Sequence, residues 1–219
     1  GERMGLETPK QFLELAGKPI IVHTLGQFEK NDLISDIVVV CHENHIKDLD
    51  ELLRENRIQK IHKIVPGGET RQESSFIGVK SCPPGTEFVL IHDAVRPFID
   101  DRIIEETLAA AAEAGASGTA IDTDDTIIVK KDDFIEDIPP RKNLKRIQTP
   151  QGFRYETILE AHQGALKNNI TDSTDDCGLV RAMGQPVKLV DGSVFNIKIT
   201  DQTDLFLAEK FFQSGKGSL

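Results

Sequence analysis

The chain has 219 residues, of which 38% are hydrophobic and 28% are charged, and this size and composition predict a single globular domain over 1–219. Its formal net charge of -10 disfavours nucleic-acid binding, which needs a basic surface, and no apolar run approaches the roughly 18 residues of a membrane helix. Three widely spaced cysteines without a Cys-x-x-Cys pair argue against a disulfide framework or a structural zinc site, and the absence of an export signal at the start predicts a cytoplasmic location.

Short apolar runs, rich in β-branched residues and bounded by polar ones, predict buried strands. They lie at 37–41, 63–65, 88–92, 118–122, 126–129, 187–190 and 196–199. Amphipathic patterns between them predict helices at 20–30, 45–55, 72–80, 102–114, 155–168, 176–183 and 203–213. Strand and helix alternate almost throughout, which predicts an α/β, Rossmann-like fold with a mostly parallel sheet.

One segment, 126–152, interrupts this alternation. It runs from a strand through a turn at 131–133 to a second strand, and then through two prolines to a basic loop. This pattern is typical of a hairpin rather than of another strand–helix–strand unit. We therefore predict a protruding β-arm over 126–152 that contacts a partner subunit.

The chain begins with a glycine-flanked loop that carries two cations, Arg3 and Lys10. Cations in such a loop, before a helix, can hold phosphates; the alternative is a disordered basic start. An α/β sheet usually opens with a strand before such a loop, and none is visible here. We therefore expect the natural chain to carry a first strand before residue 1.

The strongest candidate site is the segment 91–98, IHDAVRPF, in which a predicted strand ends in Asp93 and Arg96. Ligands of open α/β sheets bind at the carboxyl ends of strands. A carboxylate there, together with phosphate oxygens, suits Mg²⁺. The structural alternative is an Asp–Arg pair that only closes a turn.

A glycine pair at 67–68 lies between a predicted strand and a helix, in the segment GGETRQESS. Backbone N–H groups and hydroxyls there can bind a nucleotide, but an ordinary helix N-cap explains the segment equally well.

Three further segments carry charge. The basic cluster 140–146 suggests an anion site or a solvated face, and Lys198, within an apolar strand, points either to solvent or inward to a phosphate. The acidic run 172–176 is typical of a helix cap.

Taken in order, several of these segments resemble the 2-C-methyl-D-erythritol 4-phosphate cytidylyltransferases. The matching motifs are GERM at 1–4, PKQF at 9–12, GG at 67–68 with Arg71 and Ser74, HDAVRP at 92–97, TPQ at 149–151 and NIK at 196–198. The resemblance spans nearly the whole chain. It implies a nucleotidyltransferase domain whose arm forms a homodimer, with CTP and a polyol phosphate as substrates and Mg²⁺ as cofactor.

The resemblance also implies a role for each matching residue. At the CTP triphosphate it places the catalytic residues Arg3, Lys10 and Lys198. At the nucleotide it places Gly1, Gly68, Arg71, Ser74 and Asp93, with Asp93 also near the magnesium ion, through a water if not directly. At the polyol phosphate it places Arg96, Thr126, Arg141, Thr149 and Thr174, with Thr126 and Arg141 reaching the neighbouring subunit's site.

The implied reaction is in-line attack of a phosphate oxygen on the α-phosphorus of CTP, which expels pyrophosphate without a protein nucleophile or general base. Ribitol 5-phosphate cytidylyltransferases are the nearest alternative: 17–24 and 195–198 resemble that group, whereas 140–144 and 149–153 favour the methylerythritol group. A non-catalytic nucleotide-binding module is an alternative of another class. A dinucleotide-dependent dehydrogenase ranks low because the glycine fingerprint is absent.

Overall fold

The computed structural model describes residues 9–215 of the chain. Within these residues the helices are α1 Ile20–Lys30, α2 Ile46–Glu55, α3 Arg71–Lys80, α4 Asp101–Ala114, α5 Tyr155–Lys167, α6 Asp176–Ala182 and α7 Gln202–Gln213. The strands are β1 Glu14–Leu15, β2 Lys18–Pro19, β3 Ile37–Cys41, β4 Ile61–Pro66, β5 Phe88–Ile91, β6 Ala116–Asp122, β7 Val129–Lys131, β8 Phe134–Asp137, β9 Lys145–Arg154 and β10 Lys188–Asp191.

The central sheet has four strands in the order β10-β6-β9-β5. β10 is parallel to β6, whereas β9 is antiparallel to both β6 and β5. Three strands therefore run in one direction, and β9 runs against them from the middle of the sheet. β3 and β4 form a separate parallel pair. The α/β, Rossmann-like prediction is confirmed, with a mixed central sheet.

Helices cover both faces of this sheet. Adjacent residues of a strand point to opposite faces, and β9 shows this at 152 and 153. Phe153 packs in a core cluster with Ile158 of α5 and Val180 of α6. Gly152 faces α4 instead: a Cβ there would lie 2.6 Å from Ser117 Oγ and 3.0 Å from the carbonyl oxygen of Thr107. Only glycine lets α4 lie this close to the sheet.

All seven predicted helices are confirmed to within one residue at each end. Local signals explain this accuracy. The carboxylate of Asp100 accepts a hydrogen bond from the Ile103 N–H and caps the start of α4, and Gly115, with φ of 85°, ends the helix in the left-handed conformation.

The predicted strand at 196–199 is wrong. Residues 196–200 form no regular strand, although the N–H of Ile199 donates to the carbonyl oxygen of Val95 at 2.9 Å. Ile197 and Ile199 alternate with polar residues because both side chains pack in a core cluster, although the backbone there is irregular.

The predicted arm over 126–152 is too long. The hairpin β7–β8 turns at Asp132, whose φ is 52°, and its first strand begins at Val129 rather than at 126. From Lys145 onward the chain belongs to β9, in the centre of the sheet. The sequence of β9, KRIQTPQGFR, is too polar to predict a buried strand. Its polar side chains can be buried because they bond to segments that are distant in the sequence, which no local pattern shows.

A second core cluster joins distant parts of the chain. It contains Leu15 of β1, Val95 and Phe98 from the loop after β5, Ile199, and Ala208 of α7. The N–H of Ala16 also donates to the carboxylate of Glu209 at 3.0 Å. The first hairpin, the loop after β5 and the last helix therefore form one packed unit.

No helix within residues 9–215 is long and apolar enough to cross a membrane.

Phe153→Ala tests the core under α5 and α6. Phe153 is fully buried, so we expect the truncation to lower the free energy of unfolding by about 3–5 kcal/mol. Phe206→Ala is the matched control, since Phe206 is 64% exposed and its loss should cost about 1 kcal/mol or less. Chemical denaturation of both variants measures the difference, and equal losses would contradict this description of the core.

Candidate active site

Three charged side chains meet just beyond the carboxyl end of β5. Asp93 Oδ2 lies 3.0 Å from Arg96 Nε and 3.2 Å from Lys198 Nζ. Burial raises the pKa of the Asp93 carboxyl, but the charges of Lys198 and Arg96 outweigh this effect, so its pKa lies below the usual value. One ionised carboxylate thus holds two cations where the sequence predicted a ligand site.

Backbone groups fix Arg96. Its N–H donates to the carbonyl oxygen of Asp93 at 3.1 Å, so the pair does close a turn, as the structural alternative proposed. Its Nη1 also donates to the carbonyl oxygen of Asn196 at 2.7 Å. The guanidinium is therefore held between the turn and the segment that carries Lys198, which is more than a turn closure requires.

The side chain of Lys198 points toward the site rather than away from it. Its neighbours in the sequence, Ile197 and Ile199, both belong to the cluster that includes Val95. The side chain of Lys198 lies against Asp93 while remaining partly exposed. Its ammonium group is therefore available at the surface of the site.

Thr149 and His92 bond to the backbone of the turn at 93–96. Thr149 Oγ1 accepts a hydrogen bond from the Asp93 N–H at 3.0 Å and lies 3.1 Å from His92 Nδ1. His92 Nε2 lies 3.1 Å from the carbonyl oxygen of Arg96. A histidine that donates from Nε2 and accepts at Nδ1 satisfies every contact in this chain. Burial lowers the pKa of His92 to about 4, which keeps the ring neutral.

The start of α3 lies on the other side of the site. Thr70 accepts from the Glu73 N–H and caps the helix, so the N-cap alternative is confirmed for this segment. Ser74 Oγ accepts from the Gly68 N–H at 3.1 Å. A Cβ at Gly68 would lie 2.3 Å from the Glu73 side chain, so any other residue there would displace that exposed side chain.

A gap of about 870 Å³ separates the edges of β3 and β5, and residues of α3 and of the loop after β5 border it. Its walls include Arg71, Ser74 and Asp93, and otherwise consist mostly of apolar side chains and strand residues. It lies between β3 and β5, and within residues 9–215 neither strand pairs with another along this side. Predicted nucleotide residues from α3 and from the loop after β5 thus border the same gap.

Two of the predicted polyol phosphate residues meet at the base of the arm. Arg141 Nη2 donates to Thr126 Oγ1 at 3.3 Å, and both side chains are exposed. Thr174 is also exposed, just before α6. Lys10 lies in a short 3₁₀ helix, Lys10–Phe12, whereas Gly1 and Arg3 lie outside the described residues.

Sequence reasoning missed the buried polar residues behind the site. The acidic run was read as a helix cap, and Asp175 does cap α6 by accepting from the Gly178 N–H. Asp176, however, is buried and pairs with Arg71. Gln151 is also buried, and its Oε1 accepts from the N–H groups of Asp176 and Cys177. The only signal in the sequence was a second carboxylate beside the capping one.

Asp93 is the residue at which the expected magnesium ion could bind. Residues 9–215 contain no group of three or more His, Cys, Asp or Glu side chains placed to hold a metal ion. Asp93 offers an ionised carboxylate at the end of β5, and its Oδ2 already contacts two cations. Mg²⁺ commonly binds through one or two carboxylates with substrate phosphates and waters, and this arrangement suits that mode.

Comparison with known proteins identifies the family. The family model for 2-C-methyl-D-erythritol 4-phosphate cytidylyltransferase matches residues 1–214. The chain belongs to this family. It is therefore a nucleotidyltransferase of the cytidylyltransferase type.

Relatives and solved structures agree with this assignment. The cytidylyltransferase of Desulforamulus reducens is 42% identical over 215 residues, which cover 97% of this chain and 92% of the relative. That of Clostridium novyi is 41% identical over 218 residues, which cover 99% and 94%. Among crystal structures, 4-diphosphocytidyl-2C-methyl-D-erythritol synthase from Anaerococcus prevotii has a TM-score of 0.84 at 31% identity, covering 91% of this chain and 88% of that one. The Thermus thermophilus cytidylyltransferase has a TM-score of 0.79 at 30% identity, covering 94% of each chain.

The pKa of His92 predicts how acid affects the stability of this cytidylyltransferase. Burial lowers that pKa from 6.5 to about 4, so between these values the unfolded chain binds a proton that the folded chain excludes. Stability contributed by the neutral ring is complete above pH 6.5 and is lost as the pH falls, by about 2–3 kcal/mol at pH 4. Denaturation in EDTA from pH 7.5 to 4 measures the slope. His92→Gln should flatten it, and an unchanged slope would contradict the assignment.

Proposed function

We propose that the protein transfers CMP from CTP to 2-C-methyl-D-erythritol 4-phosphate and releases pyrophosphate. The observation that carries the proposal is the cluster of Asp93, Arg96 and Lys198 at the carboxyl end of β5, in a chain of this family.

The chemistry calls for positioning and charge more than for proton transfer. A phosphate monoester oxygen is deprotonated at neutral pH, so it can attack the α-phosphorus without a general base. Negative charge develops on the oxygens around that phosphorus and on the leaving pyrophosphate, and fixed cations lower the barrier. Lys198 is suited to this role because Asp93 holds its ammonium group in place. Lys10 would approach from the first loop, with Arg3.

Asp93 would serve both the cations and a metal ion. Its carboxylate is ionised, so it can orient Lys198 and Arg96 and still offer its second oxygen, directly or through water, to an ion carried by the triphosphate. When bound, Mg²⁺ would neutralise part of the phosphate charge. This role agrees with a site that has one suitable carboxylate rather than a cage of ligands.

The nucleotide would bind along the start of α3. Gly68 and Ser74 lie together there, and Arg71 and Ser74 border the gap that Asp93 also borders. Backbone N–H groups and a guanidinium at a helix start suit an anionic nucleotide. Gly1 would contribute from the first loop.

The acceptor phosphate would bind to cations and hydroxyls: Arg96 near Asp93, Thr174 before α6, and Thr126 with Arg141 at the base of the arm. Thr149 is buried and its hydroxyl is already bonded to the Asp93 N–H and to His92, so it would act on the phosphate through the Asp93 turn. We propose that Thr126 and Arg141 serve the partner's site in a homodimer. The arm supports this idea, because Phe134 is 79% exposed and Ile135 is 60% exposed within a single chain. Apolar side chains exposed in this way are typical of a contact surface.

Pyrophosphate release tests the proposed function directly. The protein is incubated with CTP and Mg²⁺, in parallel with 2-C-methyl-D-erythritol 4-phosphate and with ribitol 5-phosphate. We expect release with the former only, and its loss on addition of EDTA. Release only with ribitol 5-phosphate would replace the proposed substrate, and binding of CTP without release in either reaction would favour a non-catalytic module.

Arg141→Ala tests the role of the arm. Removing the guanidinium should lower kcat/KM for the acceptor at least about 10-fold, because a charged contact to phosphate is lost, while KM for CTP changes by less than about 2-fold. Lys142→Ala, at the adjacent exposed cation, is the matched control and should leave both values near those of the unmodified enzyme. Equal losses for CTP and acceptor would count against this division of roles.

A further inference from the structure

The first residue of α3 and the first residue of α6 form an ion pair beside the gap between β3 and β5. Arg71 Nη2 lies 2.7 Å from Asp176 Oδ2. The side chain of Asp176 is 0% exposed, whereas that of Arg71 is 36% exposed. A fully buried acid thus holds a cation whose other end remains accessible.

Asp176 has several further partners. Ser75 Oγ donates to Oδ1 at 2.7 Å, and His162 Nε2 lies 3.3 Å from the same oxygen. Burial raises the pKa of the Asp176 carboxyl, but these contacts and the charge of Arg71 outweigh it, so its pKa lies below the usual value. The bonds from Arg71 and Ser75 hold this buried carboxylate in one orientation, because a rotation would leave a donor or the charge without a partner.

The backbone around Asp176 is fixed independently. Gln151 Oε1 accepts from the Asp176 N–H at 3.0 Å and from the Cys177 N–H at 3.1 Å, which ties α6 to β9. Gln72 donates to the carbonyl oxygen of Ile170 at 2.6 Å and accepts from the Ser173 N–H at 2.9 Å, which ties the preceding loop to α3. Asp176 therefore cannot follow a movement of Arg71; Arg71 must adapt to Asp176.

Most N–H donors of the Arg71 guanidinium are not used by Asp176. A guanidinium has five N–H donors, and within residues 9–215 Asp176 is its only side-chain acceptor. Arg71 borders the gap that Ser74 and Asp93 also border. Because the Arg71 side chain is 36% exposed, its remaining donors are accessible to a ligand that binds at the start of α3.

We propose that Asp176 is a positioning residue for the transfer reaction: it orients the Arg71 guanidinium for contact with the nucleotide and acts only through Arg71. This inference rests on the proposed function. It assigns a role to a buried residue that touches no substrate. It also implies that the loop carrying Thr174 and the start of α3 hold fixed positions relative to each other.

Asp176→Asn is the principal test. Asn keeps the shape and one acceptor but removes the charge, so Arg71 loses its anchor. We expect Kd for CTP, measured by calorimetry with Mg²⁺ and without acceptor, to rise about 10-fold, and KM for CTP to rise with it while kcat changes less. Asp50→Asn is the matched control: it neutralises the acid of an exposed Arg–Asp pair on α2, 2.7 Å from Arg54 and away from the site, so Kd should stay within about 2-fold of the unmodified enzyme.

A double-mutant cycle separates positioning from general structural damage. If Asp176 acts through Arg71, Asp176→Asn adds less than about a 2-fold loss of CTP affinity in an Arg71→Ala background. Multiplied losses would overturn the inference. So would unchanged CTP affinity in Asp176→Asn or in Arg71→Ala.

Two further measurements keep the outcomes distinct. Thermal denaturation confirms that each variant is folded at the assay temperature. Should Asp176→Asn not fold, Asp176→Glu keeps the charge but displaces the guanidinium, and it should weaken CTP binding in the same way; normal affinity would refute the positioning role. If the unmodified protein binds CTP and releases pyrophosphate, failure of these tests overturns only the inference about Asp176, whereas an unmodified protein that does neither overturns the proposed function with it.

Discussion

Buried polar side chains on β9 set the positions of nearly everything in the candidate site. A polar group removed from water must find a partner, or the fold loses stability. Gln148 donates to the carbonyl oxygens of Ser193 and Asn196, Thr149 contacts the Asp93 N–H, and Gln151 accepts from the start of α6. Each requirement fixes a different segment of chain. One central strand thereby aligns the loop after β5, the segment before Lys198 and α6, whose Asp176 pairs with Arg71.

The charge of the site is opposite to that of the molecule. The chain has a formal net charge of -10, yet Asp93 is held between Arg96 and Lys198, which leaves an excess of positive charge at this point. Cations fixed before the substrate arrives need little reorganisation during the reaction, which is how an enzyme stabilises developing phosphate charge. The acidic surroundings confine the attraction for anions to this end of the sheet.

The parts of the fold that depend on local sequence could be predicted from it, and those that depend on distant partners could not. The helices follow from their periodicity and from caps such as Asp100, and Asp93 follows from its place at a strand end. β9 was missed because Gln148 and Gln151 look like loop residues until the groups they bond are known. The pairing of Arg71 with Asp176 spans 105 positions, so no local pattern indicates it.

The cluster that contains Leu15, Val95, Ile199 and Ala208 has a consequence for how the molecule comes into being. It joins the first hairpin, near Lys10, to the Asp93 loop, to the segment of Lys198 and to α7. Contacts between residues so far apart in sequence form late, because closing long loops costs entropy before any packing is gained. During synthesis Asp93 and Arg96, three residues apart, can pair early, but Lys198 reaches Asp93 only after the segment before α7 has emerged. The electrostatic centre is thus among the last features to be completed.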